Sequence, residues 1–231
     1  MSEIDAQVAV ILRELEAQGK PANVEGMARF GIRPGTTVYG IPIPTLRQMA
    51  RRIGRDHGLA KALWNSGVHE ARLIAAFIAE PKRLTEAEAD EWVEGIDSWD
   101  VCDQSCSSFL WKTPFAYAKA VEWSGREEEF VRRAGFVMMA ALAVHDKKAP
   151  DERFEPLLEV ITRGADDERN FVKKAVNWAL RQIGKRSHHL NGLAVQTAER
   201  IQQMDSKAAR WVAADALREL TSEKTRGRIK R

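Results

Sequence analysis

Apolar residues recur at i, i+3, i+4 and i+7 through segments of 10–18 residues from one end of the chain to the other, whereas alternating runs are nearly absent. This period predicts an all-α fold. A first helix buries Ile4, Val8, Ile11, Leu12 and Leu15 and stops at Gly19, and a short one follows over Asn23–Phe30. The stretch from Gly31 to Ile43, with Pro34, Gly35, Gly40 and Pro42, reads as the longest loop, after which Pro44 opens a helix as its first-turn proline. Further helices are predicted over 59–65, 68–80, 85–95, 99–111, 114–123, 127–144, 151–162, 167–185, 188–203 and 205–221. Thr85 with Glu88 forms a capping box, Thr113-Pro114 a cap followed by proline, and Asp205 an N-cap. Short linkers favour antiparallel neighbours, and stacked pairs of this length describe an α-solenoid of HEAT-like helix pairs. One domain is expected over residues 1–223, with a flexible basic tail over 224–231 that holds Lys224, Arg226, Arg228, Lys230 and Arg231.

Composition narrows the function classes. Of 231 residues, 44% are hydrophobic and 30% charged, which excludes a disordered or membrane-embedded chain. No run of about 18 apolar residues and no apolar stretch near Met1 occurs, so a cytoplasmic location without membrane contact is expected, and nothing demands more than a monomer. Cys102 and Cys106, four apart, read as small buried thiols, and the adjacent His188 and His189 face different sides of a helix. Neither set builds a metal site, and no metal or cofactor is expected. Net charge is +3 but uneven: residues 1–111 carry 12 basic and 16 acidic side chains, residues 112–231 carry 24 and 17. The second part therefore suits an anionic partner.

A solenoid of helix pairs presents successive inner helices along a concave surface, where distant residues can converge on a basic groove. Trp178 projects roughly 130° from the apolar sector of Val172, Ala175, Val176, Ala179, Leu180 and Ile183, at 100° per residue. Lys174, Arg181 and Lys185 share its face. A tryptophan among cations fits a groove that tracks a phosphate backbone, and packing between helix pairs is the plainer alternative. With Ser98 as cap, Trp99 and Asp103 lie one turn apart, an aromatic plate beside a carboxylate suited to a flat cation. The alternative is a half-buried Trp with a salt-bridged Asp. Arg133 lies about 100° from the stripe of Phe130, Ala134, Val137, Met138 and Ala141, as a phosphate anchor or as the partner of Asp100 or Glu129. Arg47, Arg51, Arg52 and Arg55 line one predicted helix; Arg47, Arg51 and Lys173 join the candidate contacts to an anionic partner. The remaining tryptophans, Trp64, Trp92, Trp111, Trp123 and Trp211, are assigned to the core or to helix contacts.

At these residues the chain resembles the AlkD-like DNA alkylation-repair glycosylases, which are built from HEAT-like repeats. The likeness runs through Tyr39-Gly40-Ile41-Pro42-Ile43-Pro44-Thr45-Leu46-Arg47, His69-Glu70-Ala71-Arg72, Trp99-Asp100-Val101-Cys102-Asp103, Arg132-Arg133-Ala134, and Phe171-Val172-Lys173-Lys174-Ala175-Val176-Asn177-Trp178-Ala179-Leu180-Arg181. It implies a base-excision-repair hydrolase that releases cationic N3- and N7-alkylated purines from duplex DNA without drawing the base into a pocket. By position it implies Asp103 as the catalytic aspartate, Trp99 and Trp178 as active-site tryptophans and Arg133 as the active-site arginine. Two other classes compete: a non-enzymatic HEAT-repeat module that binds DNA or a protein, and a purely structural scaffold.

Overall fold

The computed structural model describes residues 2–32 and 35–229. Pro34 of the predicted loop, and Lys230 and Arg231 of the predicted tail, lie outside the described residues. Fourteen α-helices and three 3-10 turns account for the regular structure among the described residues, with a single isolated bridge between Thr37 and Val68. No described helix is long and apolar enough to cross a membrane. The chain forms two compact units, Met1–Thr113 and Pro114–Arg231.

The first unit holds α1 (Glu3–Ala17), α2 (Pro21–Arg29), α3 (Ile43–Ile53), α4 (His57–Trp64), α5 (His69–Ile78), α6 (Glu86–Glu94) and α7 (Trp99–Ser108). Helix α5 is central to it, packing on α3, α4 and α7, while α1 packs on α4. Aromatic rings fix where α7 lies. Trp64 stacks on Trp92 at 4.1 Å, Trp92 meets Phe109 edge-on at 5.0 Å, and the Trp92 indole donates to Ser105 Oγ of α7 at 3.1 Å. Both tryptophans are buried as predicted, and burying such rings is among the largest single contributions to a small core. Cys102 and Cys106 are free buried thiols on the same helix.

The second unit holds α8 (Ala116–Ser124), α9 (Glu129–His145), α10 (Glu155–Arg163), α11 (Asn170–Ile183), α12 (His188–Gln202), α13 (Lys207–Leu220) and α14 (Glu223–Arg226). Here α9, α11 and α13 pack in succession as one layer, and α8, α10 and α12 form the other. Gly135 allows a close approach, because a Cβ there would lie 2.3 Å from the backbone nitrogen of Ser124 on α8. Asn177, buried in α11, donates to the Val212 carbonyl of α13 at 3.0 Å and fixes their register.

Helix ends depart from the sequence reading where cap signals crowd together. Thr85 and Glu88 form the predicted capping box, but the N-cap of α13 is Ser206, not Asp205; its hydroxyl accepts from the Ala209 amide. Thr113 bonds back to the Leu110 carbonyl, so Pro114 falls in a turn and α8 starts at Ala116. The stretch expected to be a flexible tail includes the last three residues of α14, and Ile229 is buried.

Candidate nucleic-acid interface

In the first unit, Ser98 takes the N-cap position of α7 with extended backbone (φ −152°, ψ 152°), yet its buried hydroxyl makes no capping bond. Trp99 is the first helical residue. Its indole N–H donates to the Phe30 carbonyl at the end of α2, 3.1 Å away, which ties the ring's edge and leaves the side chain half-buried. Asp103 follows one turn later, also half-buried. The next residue, Gln104, accepts from Arg47 at 2.7 Å, and the Arg47 guanidinium lies 4.6 Å from the Phe77 ring centroid. Arg47 is thus held beside the residue that follows Asp103. Arg51 is exposed, whereas Arg52 pairs with Glu14 and Arg55 donates to the Ala79 carbonyl.

Two buried acids next to these residues were not read from the sequence as site components. Asp100 Oδ2 lies 2.8 Å from His69 Nε2, and the histidine is fully buried. Burial disfavours charge on both, but the mutual hydrogen bond and attraction outweigh it, raising the His69 pKa and lowering that of Asp100. Asp100, weighed above as a partner for Arg133, is therefore occupied within its own unit. Glu70, fully buried, accepts from the backbone N–H groups of Tyr39 (3.0 Å), Gly40 (2.6 Å) and Ile41 (3.3 Å). Gly40 has φ +76°, and a Cβ would meet the Lys20 carbonyl at 2.6 Å, so this turn demands glycine. The Glu70 carboxylate holds the loop that leads into α3. A histidine and a glutamate opening α5, whose last six residues are all apolar, are the signal that points to both pairings.

In the second unit, Arg133 is only 5% exposed and donates to the Phe171 carbonyl at 2.6 Å. Trp178 is half-buried, and Lys174, one turn before it on α11, is exposed. With the Gln182 amide oxygen turned inwards, it accepts from the Trp178 indole at 3.0 Å and from Lys185 at 3.2 Å. The cations expected to join Lys174 on a phosphate-tracking face have partners of their own: Glu219 of α13 bonds Arg181 at 2.5 Å and Lys185 at 2.7 Å. Burial pushes the Glu219 carboxyl up, but these two cations prevail and hold it below its ordinary range. Lys173 sits over a different ring, that of Trp211, 5.8 Å from its centroid. Trp211, assigned above to the core or to helix contacts, is 41% exposed, because the buried stripe of α13 is filled by Ala208, Ala209, Val212, Ala213, Ala216 and Leu220. Trp123 is buried and Trp111 half-buried, as that assignment had it.

Fold and side chains together define an all-α HEAT-like repeat protein that carries tryptophan, carboxylate and cations on its layered helices. The chain belongs to the DNA alkylation repair enzyme family, which it matches over residues 11–220. A solved structure described as "a new family of proteins related to the HEAT-like repeat DNA glycosylases with affinity for branched DNA structures" shares its fold, with a TM-score of 0.76, 22% identity and 97% of each chain covered. A designed armadillo repeat protein in complex with the peptide (KR)4 is less similar, with a TM-score of 0.41, 15% identity, and 94% of this chain and 99% of that one covered. A comparison with curated protein sequences found no match.

Proposed function

We propose that the protein is a DNA glycosylase that releases N3- and N7-alkylated purines from duplex DNA, with Asp103 as its central carboxylate. The observation that supports this most is the half-buried Asp103 one turn after Trp99 on α7, in a chain of the DNA alkylation repair enzyme family. An alkylated purine is already cationic, so it leaves as a neutral base without a strong general acid. The C1′–N bond breaks with its electron pair going to the purine nitrogen, and positive charge grows on the sugar. An ionised Asp103 stabilises that charge and takes the proton of the water whose oxygen bonds to C1′. Trp99, with its N–H engaged by Phe30, offers its π face to the cationic nucleotide. On the second unit Lys174 contacts phosphate and Trp178 packs on the sugar-phosphate backbone. Arg133, buried and tied to Phe171, adds a fixed positive field. On the first unit Arg47 and Arg51 contact phosphate.

The test is release of free base from duplex DNA carrying 7-methylguanine or 3-methyladenine, by wild type and by Asp103→Asn matched for folding by circular dichroism. Release by the wild type, lowered about 100-fold or more in the variant, is the expected result. A second reading, a DNA-binding module without chemistry, is favoured by the affinity of the related solved protein for branched DNA structures. Salt-sensitive binding with no release by either protein would decide for it.

A further inference from the structure

We propose that Trp211 and Lys173 form a platform on the second unit that stacks an unpaired nucleotide flanking the duplex. This rests on the reading of α11 as a DNA-facing helix. Trp211 is 41% exposed on a helix whose core stripe is complete without it, so packing does not account for the ring's position. Its indole lies under the Lys173 ammonium at 5.8 Å. Lys207, one turn before Trp211, and Arg218, two turns after it, fall within about 40° of it around α13 at 100° per residue. All three are exposed. Arg218 pairs with Asp215, while neither Lys173 nor Lys207 has a carboxylate partner among the described residues. The platform is rigid, because the buried Asn177–Val212 bond and the Glu219 bonds to Arg181 and Lys185 fasten α13 to α11.

An indole with one ammonium over its ring and a second one turn back along α13 matches one class of ligand well: a base that stacks on the ring, with phosphates that draw the cations to them. Duplex bases are already stacked on their neighbours and gain little there. An unpaired base next to the duplex gains a full aromatic contact. An apolar protein segment would instead have to desolvate the two cations without a counter-charge.

The experiment compares binding of an undamaged blunt duplex with the same duplex bearing a single-stranded overhang, by fluorescence anisotropy. The wild type is expected to prefer the overhang probe. Trp211→Ala should weaken that binding about 5- to 100-fold while leaving the blunt duplex within about twofold. Trp211→Phe should keep most of the preference, since a ring remains. Equal affinity of the wild type for the two probes, or the same loss on both in Trp211→Ala, would overturn the proposal. Absence of any DNA binding by the wild type would overturn it together with the DNA-facing role of α11. Because the probes are undamaged, loss of the glycosylase reading is seen separately: no base release, with the Trp211-dependent preference intact, removes only the excision chemistry.

Discussion

Asp100 sits three residues before Asp103 on α7, and its charge is governed by His69. Burial opposes ionisation of both partners, yet the bond between them leaves His69 above its ordinary 6.5 and Asp100 below its ordinary 3.8. The folded state holds the His69 proton more tightly than the unfolded chain. That stabilisation is therefore complete below pH 6.5 and is lost as pH rises through the higher folded value. Asp100 behaves in the opposite sense: its share is complete above pH 3.8 and is lost as pH falls through the lower folded value. The pair stabilises the first unit most between those limits. Thermal unfolding from about pH 5 to about pH 9 should show the wild type losing stability towards the alkaline end. In Asp100→Asn that loss should be much smaller, after a drop of about 3 kcal/mol at the acid end. An unchanged pH dependence in the variant would mean that His69 titrates without reference to Asp100. At this scale the sequence places Trp99 and Asp103 one turn apart on a helix, because that is a local relation. His69 with Asp100 and Arg181 with Glu219 are pairings between helices, and no spacing along the chain encodes them.

Helix contacts turn on how closely backbones approach, and two glycines separate that effect from helix propensity. Gly135 lies within α9, where a Cβ would stand 2.3 Å from Ser124 N, 2.7 Å from Ser124 Cα and 2.8 Å from the Ala120 carbonyl. All three are backbone atoms of α8, which cannot turn aside as a side chain can. Gly192 lies within α12 with nothing inside 4 Å of the same position. Alanine favours a helix interior over glycine by about 1 kcal/mol at either site. Gly192→Ala should therefore raise the urea midpoint by about 0.5–1 kcal/mol of stability, while Gly135→Ala should lower it by about 1–3 kcal/mol as α8 and α9 are forced apart. Stabilisation by both would show that the two helices separate freely. The helices themselves are legible because the 3.6-residue period survives in nearly every one of them. Their ends are less so: Asp205 and Ser206 are both good caps, and the geometry of α13 selects the second. Trp211 escapes the pattern for a related reason, since a large apolar residue looks like core until the neighbouring alanines are seen to fill the stripe.

For the whole molecule, the proposed affinity for DNA should depend on which cations are free rather than on the net charge of +3. Residues 112–231 carry the basic excess, but Arg181 and Lys185 share Glu219, and Arg181 also lies 3.8 Å from Asp215. A cation that is already paired releases no counterion from DNA unless its carboxylate lets go. Lys174, exposed on α11, is expected to behave differently. In plots of log affinity against log salt, Lys174→Ala should reduce the slope by about 1, while Arg181→Ala should leave it near the wild-type value. The decisive variant is Glu219→Gln, which keeps the side chain's size and removes its charge, freeing Lys185 and leaving Arg181 with its longer contact to Asp215. Its slope should steepen by about 1–2, and its binding at low salt should tighten. If the slope does not change, Lys185 does not reach the DNA backbone, and Arg181 is either out of reach or still held by Asp215. The basic face of the second unit is then narrower than its sequence implies, limited on α11 to Lys173 and Lys174.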